Sequence, residues 1–263
     1  MNRKILLWLM ALVVIVPAVL GTGYWVYWDH YIRYAPVTIT SQEDLPKIQK
    51  LLDQADYLTP GKKDRYMYLV SYRSCKTCAT YEDTELPKFE AAGIDTRIVV
   101  FSLPDNQGVI RSTPEERSTV AELWLTRNWA FYKMWHSATD DSWTAQGLPV
   151  ADDDMARTAV VGASRSFNDQ INELLGRNKV TVSYPLLIWR DKNNQLRVCG
   201  CANEKAWHFL REEMNAADSI GSTELFGVEV PKDITLPKFG SESGGSSSSA
   251  SGPPTKAPEK PAQ

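Results

Sequence analysis

The chain has 263 residues, with 29 Lys and Arg against 32 Asp and Glu, for a net charge of -3. Charges of both signs are mixed along it, and no basic stripe marks a nucleic-acid surface. There is no glycine-rich phosphate loop and no internal repeat, and four cysteines are too few for the short, cysteine-dense scaffolds that disulfides hold together.

Residues 1–4 are followed by an uncharged apolar run from Ile5 to Trp28. It is long enough to cross a bilayer as a helix. Arg3 and Lys4 precede it, which predicts a cytoplasmic amino end. Tyr24, Trp25, Tyr27, Trp28, Tyr31 and Tyr34 crowd the far end, where amphipathic rings favour the membrane interface. The reading is a transmembrane anchor over 5–28. A cleaved signal peptide is the alternative, with Gly21-Thr22-Gly23 as a weak cleavage site. Either way the rest of the chain is exported.

In chain order, a short strand is expected over Thr38–Thr40. A helix follows from a Ser41 cap, with Leu45, Ile48, Leu51 and Leu52 at helical spacing. Thr59–Asp64 reads as a turn and Tyr66–Tyr72 as a strand. Ser74 is expected to cap a helix from Cys75 to Ala92, with Pro87 inside it and Gly93 as its stop. A second strand is expected over Arg97–Leu103, which makes a parallel strand–helix–strand unit. One long helical region then starts at the Thr113 cap and Pro114 and runs on through Trp135. Its aromatics read as core. Trp143–Asp154 reads as a polar loop, and a further helix carries Phe167, Ile171, Leu174 and Leu175 to Gly176. Val180–Trp189 is expected as a strand entered through Tyr184-Pro185, with a hairpin turn at Asp191–Asn194 and a return strand over Gln195–Val198. Glu204–Met214 closes the domain as a helix with Ala206, Phe209 and Leu210 inward. From residue 240 to 263 the sequence is Ser, Gly and Pro rich without large apolar side chains, which predicts a disordered tail.

Cys75-Lys76-Thr77-Cys78 is delivered by a strand to the first turn of a helix. Backbone N–H groups there lack intrahelical partners, and the helix dipole adds positive potential. A thiolate at Cys75 is favoured by both, and Lys76 adds a nearby cation. Cys78 lies one turn on, placed to resolve a mixed disulfide. A structural bridge or half of a zinc site are the other uses of such a pair. The histidines, His30, His136 and His208, are scattered, and packing or surface roles are expected for them, although His208 follows Cys201 closely.

The stretch SCKTCATYEDTELPKFEAAGIDTRIVVFSLPD, then AELWLTRNWAFYKMWHS, then VSYPLLIW, resembles the bacterial periplasmic thiol:disulfide interchange proteins of the DsbC/DsbG type. The resemblance spans roughly 66–214. It implies an α/β, thioredoxin-like fold with a helical insertion at about 112–178, in a domain over 37–239 that faces the periplasm from a single-pass inner-membrane anchor. It implies Cys75 as nucleophile, Cys78 as resolving thiol, and Tyr184-Pro185 as the cis-proline pair that orients a substrate chain. Exported cysteine-containing proteins and a membrane redox partner would be the partners, with no cofactor and no resident metal. Three departures stand out. Lys76-Thr77 lacks the usual aromatic, His or Pro; Tyr184 is bulky; and Leu69 takes the place where thioredoxins carry a buried acid. The segment before residue 59 is also too short for the isomerases' dimerisation domain.

In that fold the strand after Pro185 leads away from Cys75 and the hairpin reverses it, so Cys199-Gly200-Cys201 returns to the active-site end, at the rim of the substrate groove. Three roles follow for this second pair: a redox relay with Cys75–Cys78, an additional solvent-facing bridge, or part of a four-thiolate metal site. The functions carried forward are a periplasmic thiol–disulfide oxidoreductase, a non-catalytic thioredoxin-like module that binds an envelope partner, and a cysteine-based metal chaperone.

Overall fold

The computed structural model describes residues 3–139 and 142–219; the segment from 220 to 239 and the Ser/Gly/Pro tail over 240–263 lie outside the described residues. Helix α1 (Arg3–Tyr27) passes through Pro17 and runs into a π-helical turn at Trp28–Ile32. Among the described residues, Leu12–Ile32 is a helical stretch long and apolar enough to cross a membrane, and it overlaps the expected span over 5–28.

The domain is built on a five-stranded sheet in the order β1-β5-β4-β2-β3, where β1 is Val37–Thr38, β2 Arg65–Ser71, β3 Ile94–Val100, β4 Leu186–Arg190 and β5 Leu196–Gly200. Strands β2 and β3 are parallel and every other pairing is antiparallel. With helix α3 (Lys76–Ala91) joining β2 to β3, and the β4–β5 hairpin on the other side of β2, this is a thioredoxin-like fold. Helices α4 (Pro114–Thr126), α5 (Trp129–Ser137) and α6 (Met155–Arg177) form the insertion between β3 and β4.

Alternation along the strands sorts the helices. Ser71 hydrogen-bonds Glu82 of α3, while Trp189 and Arg197 both reach Glu213 of α7 (Trp207–Met214), so α3 and α7 cover one face. The opposite face carries α2 (Asp44–Gln54) and α6, tied together by the Asn178 amide on Asp44 and to the sheet by Arg190 on Gln49. The insertion is fastened to the sheet by the Trp124 indole, which donates to the Val100 carbonyl at 2.7 Å, and to the segment just after β3 by Arg165, which donates to the carbonyls of Ser102 and Leu103.

Several boundaries differ from expectation. The first strand is Val37–Thr38, set by pairing with Val198 and Arg197. β3 begins at Ile94, three residues early, because Gly93 turns the chain at φ +72 directly into register with Arg65; Phe101 to Leu103 have already left the sheet. The long helix breaks in two. Arg127 adopts a left-handed conformation, and the Asn128 side chain caps α5 by accepting from Phe131 N–H. The expected strand over Val180–Trp189 survives only as Leu186–Arg190, since Pro185 has no N–H to offer the ladder. At the end of the domain Trp207, 4% exposed, faces inward, and Phe209 is only half-buried.

Candidate functional site

β2 ends at Ser71, and the chain turns through Tyr72–Ser74 with the Cys75 N–H donating to the Tyr72 carbonyl. Ser74 does not cap the helix. Cys75 itself holds the cap position, with extended backbone, and its Sγ accepts the Cys78 N–H at 3.1 Å. The sulfur therefore does what a Ser or Asp oxygen does at a helix start. Cys75 and Cys78 are joined as a disulfide and are 6% and 1% exposed. They line a cavity of about 220 Å³ with Arg73, Trp135, His136 and the exposed Lys76 at its edge.

Glu82 lies in the same cavity, one turn beyond Cys78 on the buried side of α3. Ser71 donates to Oε1 at 3.3 Å and the Tyr132 hydroxyl donates to Oε2. His136 approaches Oε2 at 3.5 Å while its other nitrogen meets the exposed Asp83 at 3.0 Å. Burial pushes the Glu82 carboxyl above its ordinary range, against the opposing pull of His136, Tyr132 and Ser71. Sequence reading missed this group. The signal was available: Cys78, Tyr81, Glu82, Glu85 and Phe89 fall on one helical face, and all are buried. Glu85, in contrast, is a packing ion pair with Lys88 and Arg211. Leu69 is fully buried and leaves its own position without an acid.

The Tyr184-Pro185 peptide is cis. Leu186 pairs with Val70, so Pro185 falls opposite Ser71 at the end of the sheet from which Cys75 departs. The Tyr184 ring packs edge-on against Tyr72 at 5.4 Å and at a tilt against Phe101 at 5.4 Å. Its hydroxyl donates to Asn168 and accepts from Asn172, both on α6. Tyr184 is thus pinned to the insertion.

Cys199 pairs with Leu187, which pairs with Leu69, so its side chain lies on the face covered by α3 and α7. Cys201 follows at the end of β5, and its N–H donates to the Pro185 carbonyl at 2.9 Å. The two are joined as a disulfide. The rim position expected for them is corrected: they are 5% and 0% exposed, belong to the hydrophobic core and do not line the cavity at Cys75. Trp207 belongs to the same core cluster, and its indole donates to the Cys201 carbonyl at 2.9 Å. His208 stacks on His30 rather than turning toward Cys201. Among the described residues no three His, Cys, Asp or Glu side chains are grouped as metal ligands.

No family model matches the chain, and no curated protein matches it. Several solved structures are similar in shape, among them these three. The thiol-disulfide exchange protein alpha-DsbA2 from Wolbachia pipientis is 14% identical, over 66% of this chain and 93% of its own, with a TM-score of 0.41. BcfH of Salmonella enterica Typhimurium is 13% identical over 80% and 92%, with a TM-score of 0.43. DsbA of Chlamydia trachomatis is 10% identical over 62% and 91%, with a TM-score of 0.33. Two of the three are DsbA proteins by name, and the narrower likeness to the DsbC/DsbG type finds no support among them.

Proposed function

We propose that this chain is a membrane-tethered thiol–disulfide oxidoreductase that acts in the periplasm on exported cysteine-containing proteins, with Cys75 and Cys78 as its exchanging pair. The observation that carries the reading is Cys75 Sγ in the cap position of α3, where it accepts a backbone N–H beside a cavity open to solvent. A thiolate there is stabilised by the helix start.

The exchange conserves electrons. A substrate thiolate attacks Cys75 Sγ, the Cys75–Cys78 bond breaks, and Cys78 leaves with the electron pair. A second substrate thiolate attacks the substrate sulfur of the mixed disulfide and expels Cys75 as thiolate. The substrate has lost two electrons and the dithiol has gained them; a membrane redox partner with a disulfide of its own would take them on. Run backward, the same steps reduce a substrate. Glu82 is the buried carboxyl of this cavity, and it is suited to accept the proton that Cys78 gives up when Cys78 attacks.

Two measurements test the reading. The wild-type protein is expected to catalyse insulin reduction or refolding of scrambled ribonuclease, and Cys75 is expected to titrate below the free-thiol value of about 8.5. Absence of both activities together with an ordinary Cys75 titration would overturn it.

A further inference from the structure

The second cysteine pair has surroundings that bear on the segment beside the first. Gly200, between Cys199 and Cys201, lies directly beneath the Thr181–Ser183 backbone. A Cβ added there would stand 2.7 Å from the Ser183 hydroxyl, 2.7 Å from the Thr181 carbonyl and 2.8 Å from the Ser183 nitrogen. Two of those atoms are backbone, so a side chain at 200 displaces the segment and does not merely rotate a neighbour. Two hydrogen bonds then join the same partners: Ser183 Oγ donates to the Gly200 carbonyl at 2.8 Å, and Cys201 N–H donates to the Pro185 carbonyl at 2.9 Å. The segment from Thr181 to Pro185 therefore rests on the Cys199–Cys201 ring at both ends.

The ring is held from behind as well. The Cys201 carbonyl accepts the Trp207 indole, and Trp207 meets Tyr81 of α3 edge-on at 5.2 Å. A continuous set of contacts thus runs from the Thr181–Pro185 segment through the ring to the helix that carries Cys75 and Cys78. A bridge across so short a loop restricts the backbone of Cys199, Gly200 and Cys201 to few conformations. The second pair belongs to the hydrophobic core and does not line the Cys75 cavity, which keeps it from a thiol that enters there. The segment it supports is only partly enclosed, with Val182 to Tyr184 half-buried and Pro185 buried. Thr181 is exposed and Tyr184 packs on Tyr72, whose carbonyl takes the Cys75 N–H. Tyr72 lines the Cys75 cavity, so the segment lies one side chain away from where a substrate sulfur would enter.

We propose that the Cys199–Cys201 disulfide and Gly200 are a positioning brace for the Thr181–Pro185 segment, and that the second pair governs docking of polypeptide substrates while taking no part in electron transfer. This rests on the reading of Cys75–Cys78 as an exchanging dithiol. The brace replaces the relay as the role of the second pair.

The experiment uses the full chain in detergent and two variants, Gly200→Ala, which keeps all four cysteines, and the double substitution Cys199→Ala, Cys201→Ala. Each is assayed with insulin and with oxidised glutathione, a disulfide too small to span the segment. The KM for insulin is expected to rise about tenfold in both variants, with kcat and the glutathione reaction within about twofold of wild type. Amide hydrogen exchange is measured in parallel, and protection over 181–185 is expected to fall while protection in α3 is retained. Unchanged insulin KM and unchanged protection in both variants overturn the brace. Loss of glutathione turnover in the double cysteine variant alone, with Gly200→Ala normal, overturns it in favour of electron transfer through the pair. A wild type inactive on both substrates defeats the dithiol reading instead, and hydrogen exchange then decides the brace by itself.

Discussion

Two small disulfide rings close at one end of the same sheet, and their surroundings are opposite. Cys75–Cys78 opens a helix, borders a cavity and has an exposed lysine beside it. Cys199–Cys201 ends a strand and is sealed into the hydrophobic core. As chain staples they are nearly equal, because loop closure over three or four residues is worth only about 2 kcal/mol in either case. Spacing therefore does not separate them. Their place within an element does: a sulfur at a helix start meets unpaired N–H groups and water, whereas a sulfur at the end of an inner strand meets side chains.

The contrast breaks first, and most completely, at the cysteines. Cys75→Ala is expected to lower exchange with any disulfide by about a thousandfold or more, since it removes the sulfur we propose as the attacking one. Cys78→Ala is expected to leave attack intact and to accumulate a mixed disulfide through Cys75, visible by mass under non-reducing conditions. A mixed disulfide captured at Cys199 or Cys201 in either variant would show that the enclosed pair is reachable, and the distinction between the two rings would fall.

Glu82 sharpens the same contrast through pH. It belongs to the first ring's cavity and faces Ser71 from β2, Tyr132 and His136 from α5, and Asp83 from its own helix. Burial raises its carboxyl above the unfolded value, so the folded state holds that proton more tightly. The associated stability is fully present below the unfolded carboxyl value and is lost as pH rises through the folded one. Glu82→Gln keeps an acceptor for Tyr132 and removes the charge. Urea midpoints taken from about pH 4 to about pH 8 are expected to show wild type losing ground against the variant as pH rises. A constant difference across that range would mean that Glu82 keeps its charge without cost.

How much of this was legible in the sequence depends on what kind of force set it. Cys75 at a helix start, the Thr113 cap with Pro114 after it, and the β4–β5 hairpin are local, and propensity and spacing show them. The break at Arg127 was not legible, since a left-handed residue without glycine carries no compositional mark. Nor was the truncated strand before Leu186. Val180–Ser183 has the β-branched content of a strand, but it folds over Gly200 instead of pairing. That choice is made by a residue far along the chain. The inward place of Trp207, which holds the Cys201 carbonyl, was not legible either, and the helical pattern assigned it to Phe209. Glu82 shows a different limit: its place on the buried helical face was readable, but its hydroxyl partner Tyr132 comes from the insertion.

The smallest expected effect concerns the other support of the proline segment. Tyr184 is held by Asn168 and Asn172 of α6, while Ser183 and Pro185 are held by the second ring. Tyr184→Phe keeps the ring contacts with Tyr72 and Phe101 and removes only the hydroxyl. Asn168, nearly buried, loses its donor, so a stability loss of about 1–2 kcal/mol is expected in chemical denaturation. If the brace is the stronger support, the insulin KM of this variant moves less than about threefold. A rise as large as that of Gly200→Ala would assign the segment to the insertion as much as to the disulfide. The two rings would then differ in the cavity that only the first one lines, but the second would no longer be what aligns a substrate with the first.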